Sequence, residues 1–230
     1  MAVAGSAYGQ SAETLSGMHA YNTGDLVTAF RLLKHAADSG DAEAMVNLGY
    51  FYARGQVVPT DQAEAFRLYA QSAHRGNSEG MNALGYKYQF ATGIPKDIGK
   101  AVYWYCQAIS FGNPRAMNNL ALLLSDGREI EQDVDQARDL WTQSSALGHR
   151  NSMYNLGLSY LNGPENKRDS RAANAWILRA AQAGQVLAQQ LLRRYGYTEP
   201  LPPPSDDAAL MIPAPKNAAG RARSCGAPVA

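Results

Sequence analysis

Ala44, Met45, Leu48, Gly49 and Tyr52 recur at steps of three and four, the spacing that puts small and apolar side chains on one face of a helix. The pattern predicts a helix over residues 43–54 that ends near Gly55. Gly49 gives up as much as ~1 kcal/mol of helix propensity, so its place on the apolar face implies a packing reason. Ala44 and Gly49 together let a neighbouring helix approach closely. Gln56 to Thr60 then reads as a loop, because Pro59 cannot continue a helix. Asp61 opens a second helix as its N-cap, with Glu64 three residues on, the spacing of a capping box. Ala65, Leu68, Tyr69, Ser72 and Ala73 form that helix's buried stripe. Gly76 stands where a helix C-terminus needs a residue tolerant of positive φ.

This hairpin repeats. Gly40, Gly76, Gly112, Gly148 and Gly184 are 36 residues apart, as are Asp25, Asp61, Asp97, Asp133 and Asp169, and Ala29, Ala65, Ala101, Ala137 and Ala173. Met45, Met81, Met117 and Met153 keep the same step, as do Leu48, Leu84, Leu120 and Leu156. Asp133 with Gln136 renews the capping-box spacing, whereas Asp97 with Lys100 and Asp169 with Ala172 keep only the cap. Several residue types sharing one period define a repeat array. Helices this short are marginal alone, near the ~12–15 residue threshold in water. Each unit must therefore bury a face against the next.

The motif Ala-x-x-x-Leu-Gly-x-x-Tyr, then Gly, Asp, Ala-x-x-x-Tyr and a closing Ala and Gly, resembles the Sel-one-like repeat, a relative of the tetratricopeptide repeat. The first full unit carries it at Ala44, Leu48, Gly49, Tyr52, Gly55, Asp61, Ala65, Tyr69, Ala73 and Gly76, and the second at Leu84, Gly85, Tyr88, Gly93, Asp97, Ala101, Tyr105, Ala108 and Gly112. The third departs with Ala121 and Leu124; the fourth restores Leu156, Gly157, Tyr160 and Gly163 but has Ile177 at the aromatic place. The resemblance implies an all-α fold, a right-handed α/α superhelix (solenoid) of helix-turn-helix repeats. It divides the chain into a flexible N-terminus over 1–11, a degenerate unit over 12–40, and full units over 41–76, 77–112, 113–148 and 149–184. A capping helix over 185–197 and a Pro/Ala-rich disordered tail over 198–230 follow. Its family supplies scaffolds and adaptors.

Composition narrows the partners. Twenty-one basic against 20 acidic residues leave a net charge of +1, so no global field draws the chain to nucleic acid. No stretch reaches the ~18–20 apolar residues of a transmembrane helix. The opening residues, with Gly5-Ser6-Ala7 fitting a cleavage site, are compatible with a trimmed signal peptide but lack its basic and long apolar regions. The location is therefore open between periplasmic or exported and cytoplasmic. Cys106 and Cys225 are so placed that they suggest no disulfide framework.

Catalytic signatures are missing. His19, His35, His74 and His149 lack ligand spacing, and no zinc, calcium, phosphate-loop or nucleophile-elbow motif occurs. The repeated aspartates read as helix caps. No cofactor or metal is expected, and the chain is read as a non-enzyme. The cysteine-rich branch of the family, tied to penicillin binding and weak β-lactamase activity, has paired cysteines that this chain lacks; a β-lactamase-like or peptidoglycan-related enzyme stays as a further alternative.

In arrays of this type the first helix of each pair lines the concave face. On helix 43–54 the side opposite Leu48 and Tyr52 repeats as Asn47, Ala83, Asn119, Asn155 and as Val46, Asn82, Asn118, Tyr154, beside Tyr50, Tyr86, Leu122 and Leu158. Arg115 joins a third row and Arg54 the rim. Amides offer donors and an acceptor that hold a peptide backbone without selecting its side chains, and tetratricopeptide grooves use asparagines at the place of Asn47, Asn119 and Asn155. The expected function is therefore a protein-interaction module that binds an extended peptide through Asn47, Tyr50, Asn82, Tyr86, Arg115, Asn118, Asn119, Tyr154 and Asn155. The alternative is a structural or assembly subunit of a multi-subunit complex. It would dock through the convex face, with Tyr103 and Trp104, and through the tail island Leu210-Met211-Ile212.

Overall fold

The computed structural model describes residues 11–196 together with Cys225. Every long element among them is an α-helix, and no strand occurs among the described residues. The flexible N-terminus, the Pro/Ala-rich tail and the Leu210-Met211-Ile212 island lie outside the described residues, apart from Ser11 and Cys225.

The chain divides into two compact units at Gly112 and Asn113. The first holds α1 (Ala12–Asn22), α2 (Leu26–Asp38), α3 (Ala42–Arg54), α4 (Gln62–His74), α5 (Ser78–Phe90) and α6 (Ile98–Ser110). The second holds α7 (Pro114–Asp126), α8 (Val134–Ala146), α9 (Arg150–Asn162), α10 (Ser170–Gln182) and α11 (Val186–Arg194). Within each unit, helices pack as consecutive antiparallel pairs, α3 on α4 and α5 on α6, α7 on α8 and α9 on α10. The chain is an all-α helix-turn-helix repeat solenoid.

The local chemistry explains the boundaries. Asp61, Asp97, Asp133 and Asp169 each accept backbone N–H bonds from the first turn of the helix they open, satisfying donors that have no partner inside the helix. The capping box at Asp61 closes on one side only. Glu64 turns its carboxylate to Arg67. The Asp61 N–H donates instead to the Tyr52 carbonyl, 2.9 Å away. Asp97, Asp133 and Asp169 use their N–H groups the same way, on Tyr88, Leu124 and Tyr160. This bond ties the end of each first helix to the start of the second, so no donor remains for a reciprocal side chain.

The glycines on α3, α5 and α9 each admit a buried side chain of the partner helix. A Cβ on Gly49 would stand 2.5 Å from Tyr69, one on Gly85 2.6 Å from Tyr105, and one on Gly157 2.7 Å from Ile177. Those three side chains are almost fully buried. In the third full repeat Ala121 stands at the glycine place and Trp141 at the aromatic place, both buried. Burial pushes the Tyr69 phenol above its ordinary range, so it stays neutral. Gly76 adopts φ of 80° and closes the hairpin in the left-handed region, as its place after α4 requires.

Candidate functional site

Each unit carries a cleft along its first helices. In the first unit a cleft of about 440 Å³ is walled by Tyr50 and Arg54 of α3, Gln62 and Tyr69 of α4, and Asn82, Tyr86 and Lys87 of α5. Tyr50 meets Tyr69 edge-on at 5.6 Å, and the Arg54 guanidinium lies 5.7 Å from the Tyr50 ring. Tyr86 is exposed and packs against Phe90 at 4.5 Å. In the second unit a cleft of about 460 Å³ is walled by Leu122 of α7, Trp141 of α8, and Asn155, Leu158 and Asn162 of α9. The first cleft carries two cations and no carboxylate; the second carries no charge at all.

The asparagines divide by role. Asn118 is buried, and its Oδ1 accepts from Asn155 Nδ2 at 2.9 Å, Trp141 Nε1 at 3.2 Å and Ser152 Oγ at 3.3 Å. It joins α7, α8 and α9 from inside the second unit. Asn47 is half-buried and donates to the Glu43 carbonyl of its own helix at 3.0 Å. Asn82 is buried beside the first cleft, while Asn155 reaches the second. Asn119 is half-buried, Arg115 is exposed, and Tyr154 packs on the cluster of Ile177, Ala181 and Leu192. Thus Tyr50, Asn82 and Tyr86 meet at one cleft, Asn155 stands at the other, and Asn47, Arg115, Asn118, Asn119 and Tyr154 line neither.

Sequence reading missed Lys87. Its repeat equivalents are Phe51, Leu123 and Ser159, all buried, and Lys87 is itself only 4% exposed. Its ammonium donates to Gln62 Oε1 and lies 5.8 Å from the Tyr69 ring. Burial lowers its pKa from the ordinary lysine value. A single cation in a column of otherwise uncharged buried residues was the signal available.

Among the described residues no group of three His, Cys, Asp or Glu could hold a metal ion, and no helix is long and apolar enough to cross a membrane. Tyr105, at the aromatic place of the second full repeat, is buried and donates its hydroxyl to Gln89 Oε1 at 2.7 Å. Trp104 is half-buried against His74, and Tyr103 is exposed. Cys106 and Cys225 are both disulfide-bonded, a state that their placement in the sequence did not suggest. Their separate settings, one in a helix and one in the tail, gave no spacing signal.

Paired helices, capping aspartates and glycine-to-aromatic packing define a tetratricopeptide-like repeat protein. The Sel1 repeat matches residues 17–41, 42–77, 78–113, 114–149 and 150–185, and the chain belongs to that family, whose repeats serve as non-catalytic protein-interaction scaffolds. Among solved structures it is similar to a Sel1 repeat protein from Oxalobacter formigenes, with 27% identity and a TM-score of 0.69, covering 86% of this chain and 83% of that one. It is also similar to c5321, a protective antigen of uropathogenic Escherichia coli strains displaying an SLR fold. There the identity is 27% and the TM-score 0.63, over 77% of this chain and 39% of that one. The immunity protein Pa5087 from Pseudomonas aeruginosa shares the fold at 18% identity and a TM-score of 0.64, over 89% and 81% of the two chains. No curated protein matches the chain significantly.

Proposed function

We propose that the chain is an adaptor that holds extended peptide segments of partner proteins along the first helices of its repeats. The observation that carries this reading is the pair of clefts, one in each unit, each walled by first-helix residues. Tyr50 and Tyr86 in one, Leu122 and Leu158 in the other, offer apolar area beside the amides of Asn82 and Asn155. Binding of micromolar strength needs only about −8 kcal/mol, within reach of a few such contacts. We also propose an exported or periplasmic location, supported by the disulfide-bonded state of Cys106 and Cys225, since disulfides persist in oxidising compartments.

The test is a selection of random dodecapeptides on the full chain, followed by affinities for Tyr86→Ala and Leu122→Ala. Both side chains are exposed, at 48% and 42%, so neither change threatens the fold. The expected result is weaker binding of the selected peptides in at least one variant. Unchanged affinity in both would overturn the assignment of the clefts.

A further inference from the structure

The repeat supplies its own control for Lys87. At its place the other full repeats bury Phe51, Leu123 and Ser159. Facing it, Gln62 occupies a place held elsewhere by Leu26, Ile98, Val134 and Ser170. One repeat has therefore exchanged an apolar contact for a buried ammonium and an amide. An ammonium has three donors, and the Gln62 amide oxygen and the Tyr69 ring are its partners. No carboxylate among the described residues pairs with Lys87, nor with Arg54 at the rim of the same cleft. The Thr92 hydroxyl, lining that cleft as well, has no hydrogen-bond partner. A buried cation without a counter-charge is unfavourable by itself, and the fold does not need one at this place, as Leu123 demonstrates.

We propose that the first-unit cleft binds the side-chain carboxylate of an Asp or Glu in an extended peptide, with Lys87 as the ion-pair partner and Arg54 as the outer cation. This rests on the peptide-binding reading and names what one cleft selects. The short apolar stem of the acidic residue lies between Tyr50 and Tyr86, and its carboxylate supplies the acceptors that Lys87 lacks. Ionised hydrogen-bond partners out of water are the strong ones, so the site discriminates Glu from Gln despite their equal size.

Two measurements on the full chain test this and keep it separate from the peptide reading. In the first, C-terminally amidated random dodecapeptides are selected, so that only side chains provide carboxylates. The selected peptides should share an Asp or Glu, and its replacement by Asn or Gln, or Lys87→Gln in the protein, should weaken binding about tenfold or more. The double variant Lys87→Leu with Gln62→Ile, which restores the pair that Leu123 and Ile98 form one repeat on, should lose the same preference while staying folded. In the second, N-acetylglutamate α-amide and N-acetylglutamine α-amide are titrated while the Lys87 Cε signal is followed by NMR. Only the first compound should shift it. Peptides bound without acidic preference, or a preference kept in the double variant, would overturn the carboxylate site and leave the peptide reading standing. No peptide binding with a glutamate-dependent shift would sink the peptide reading and keep the site. Equal response to both compounds would overturn the site in either case.

Discussion

Gly49 leaves room for Tyr69 and for nothing more: a Cβ on Gly49 would lie 2.5 Å from Cε1 of the Tyr69 ring. Helix propensity alone favours alanine there by about 1 kcal/mol, so the sign of Gly49→Ala is decided by packing. The ring is buried and packed edge-on against Tyr50, and overpacking of this kind typically costs about 1–3 kcal/mol. Gly49→Ala should lower the urea midpoint. A rise would mean that the ring moves freely.

Asn118 should matter to stability before it matters to binding. Removing its side chain strands the buried Trp141 Nε1 donor and takes one partner from Asn155, while Ser152 keeps its bond to Ser144; a buried unsatisfied group costs about 1–3 kcal/mol. Asn118→Ala should therefore destabilise the second unit measurably in chemical denaturation. An unchanged midpoint would show that these bonds contribute nothing net.

Lys87→Leu with Gln62→Ile should stabilise the chain at pH 7 by about 1–3 kcal/mol, because it replaces a desolvated charge by the apolar pair that Leu123 and Ile98 form one repeat on. The pH dependence has a definite sign. The folded ammonium has a pKa below the unfolded 10.5, so its penalty is full while both states are protonated. The penalty is relieved as pH rises through the folded value towards 10.5. The gap between variant and wild type should narrow between pH 7 and that limit. A gap constant with pH would mean that Lys87 is not desolvated.

His149 occupies the N-cap place that Asp41, Asn77, Asn113 and Gln185 fill elsewhere, and it makes no side-chain bond to the helix backbone. Asn77 and Asn113 both cap their helices. His149→Asn should stabilise the chain by about 1 kcal/mol. Burial, then Arg115 and Arg150, hold the His149 pKa below 6.5. As pH falls from 6.5 through the folded value, the unfolded imidazole takes a proton that the folded one resists, and stability is lost. That part of the acid decline should vanish in the variant. Denaturation midpoints from pH 5 to 7.5 decide the matter.

Alkylation of the denatured protein without reductant should label neither cysteine, and after reduction both, because Cys106 and Cys225 are disulfide-bonded. Trapping in the native source tests the location as well. Free thiols there would contradict an oxidising compartment.

The repeat was legible because it is written in positions where physics admits few residues. Gly76 must tolerate positive φ, Asp61 must cap, and Gly49 must make room. What stayed hidden depends on the partner across the packing. Glu64 has the spacing of a capping box, yet Arg67 takes its carboxylate and the Tyr52 carbonyl takes the Asp61 N–H. Asn118 and Asn155 look alike in sequence, and only their contacts separate a buried acceptor from a cleft-facing amide. Lys87 was readable by comparison with Leu123, but only if the buried column was searched for the residue that does not belong.

The central claim is that partners bind along the first helices. Amide hydrogen exchange on the full chain, with and without a peptide selected for binding, tests it most directly. The account predicts slowed exchange in α3 and α5, or in α7 and α9, with α6 and α10 unchanged. Protection confined to the second helices, or none at saturating peptide, would contradict it.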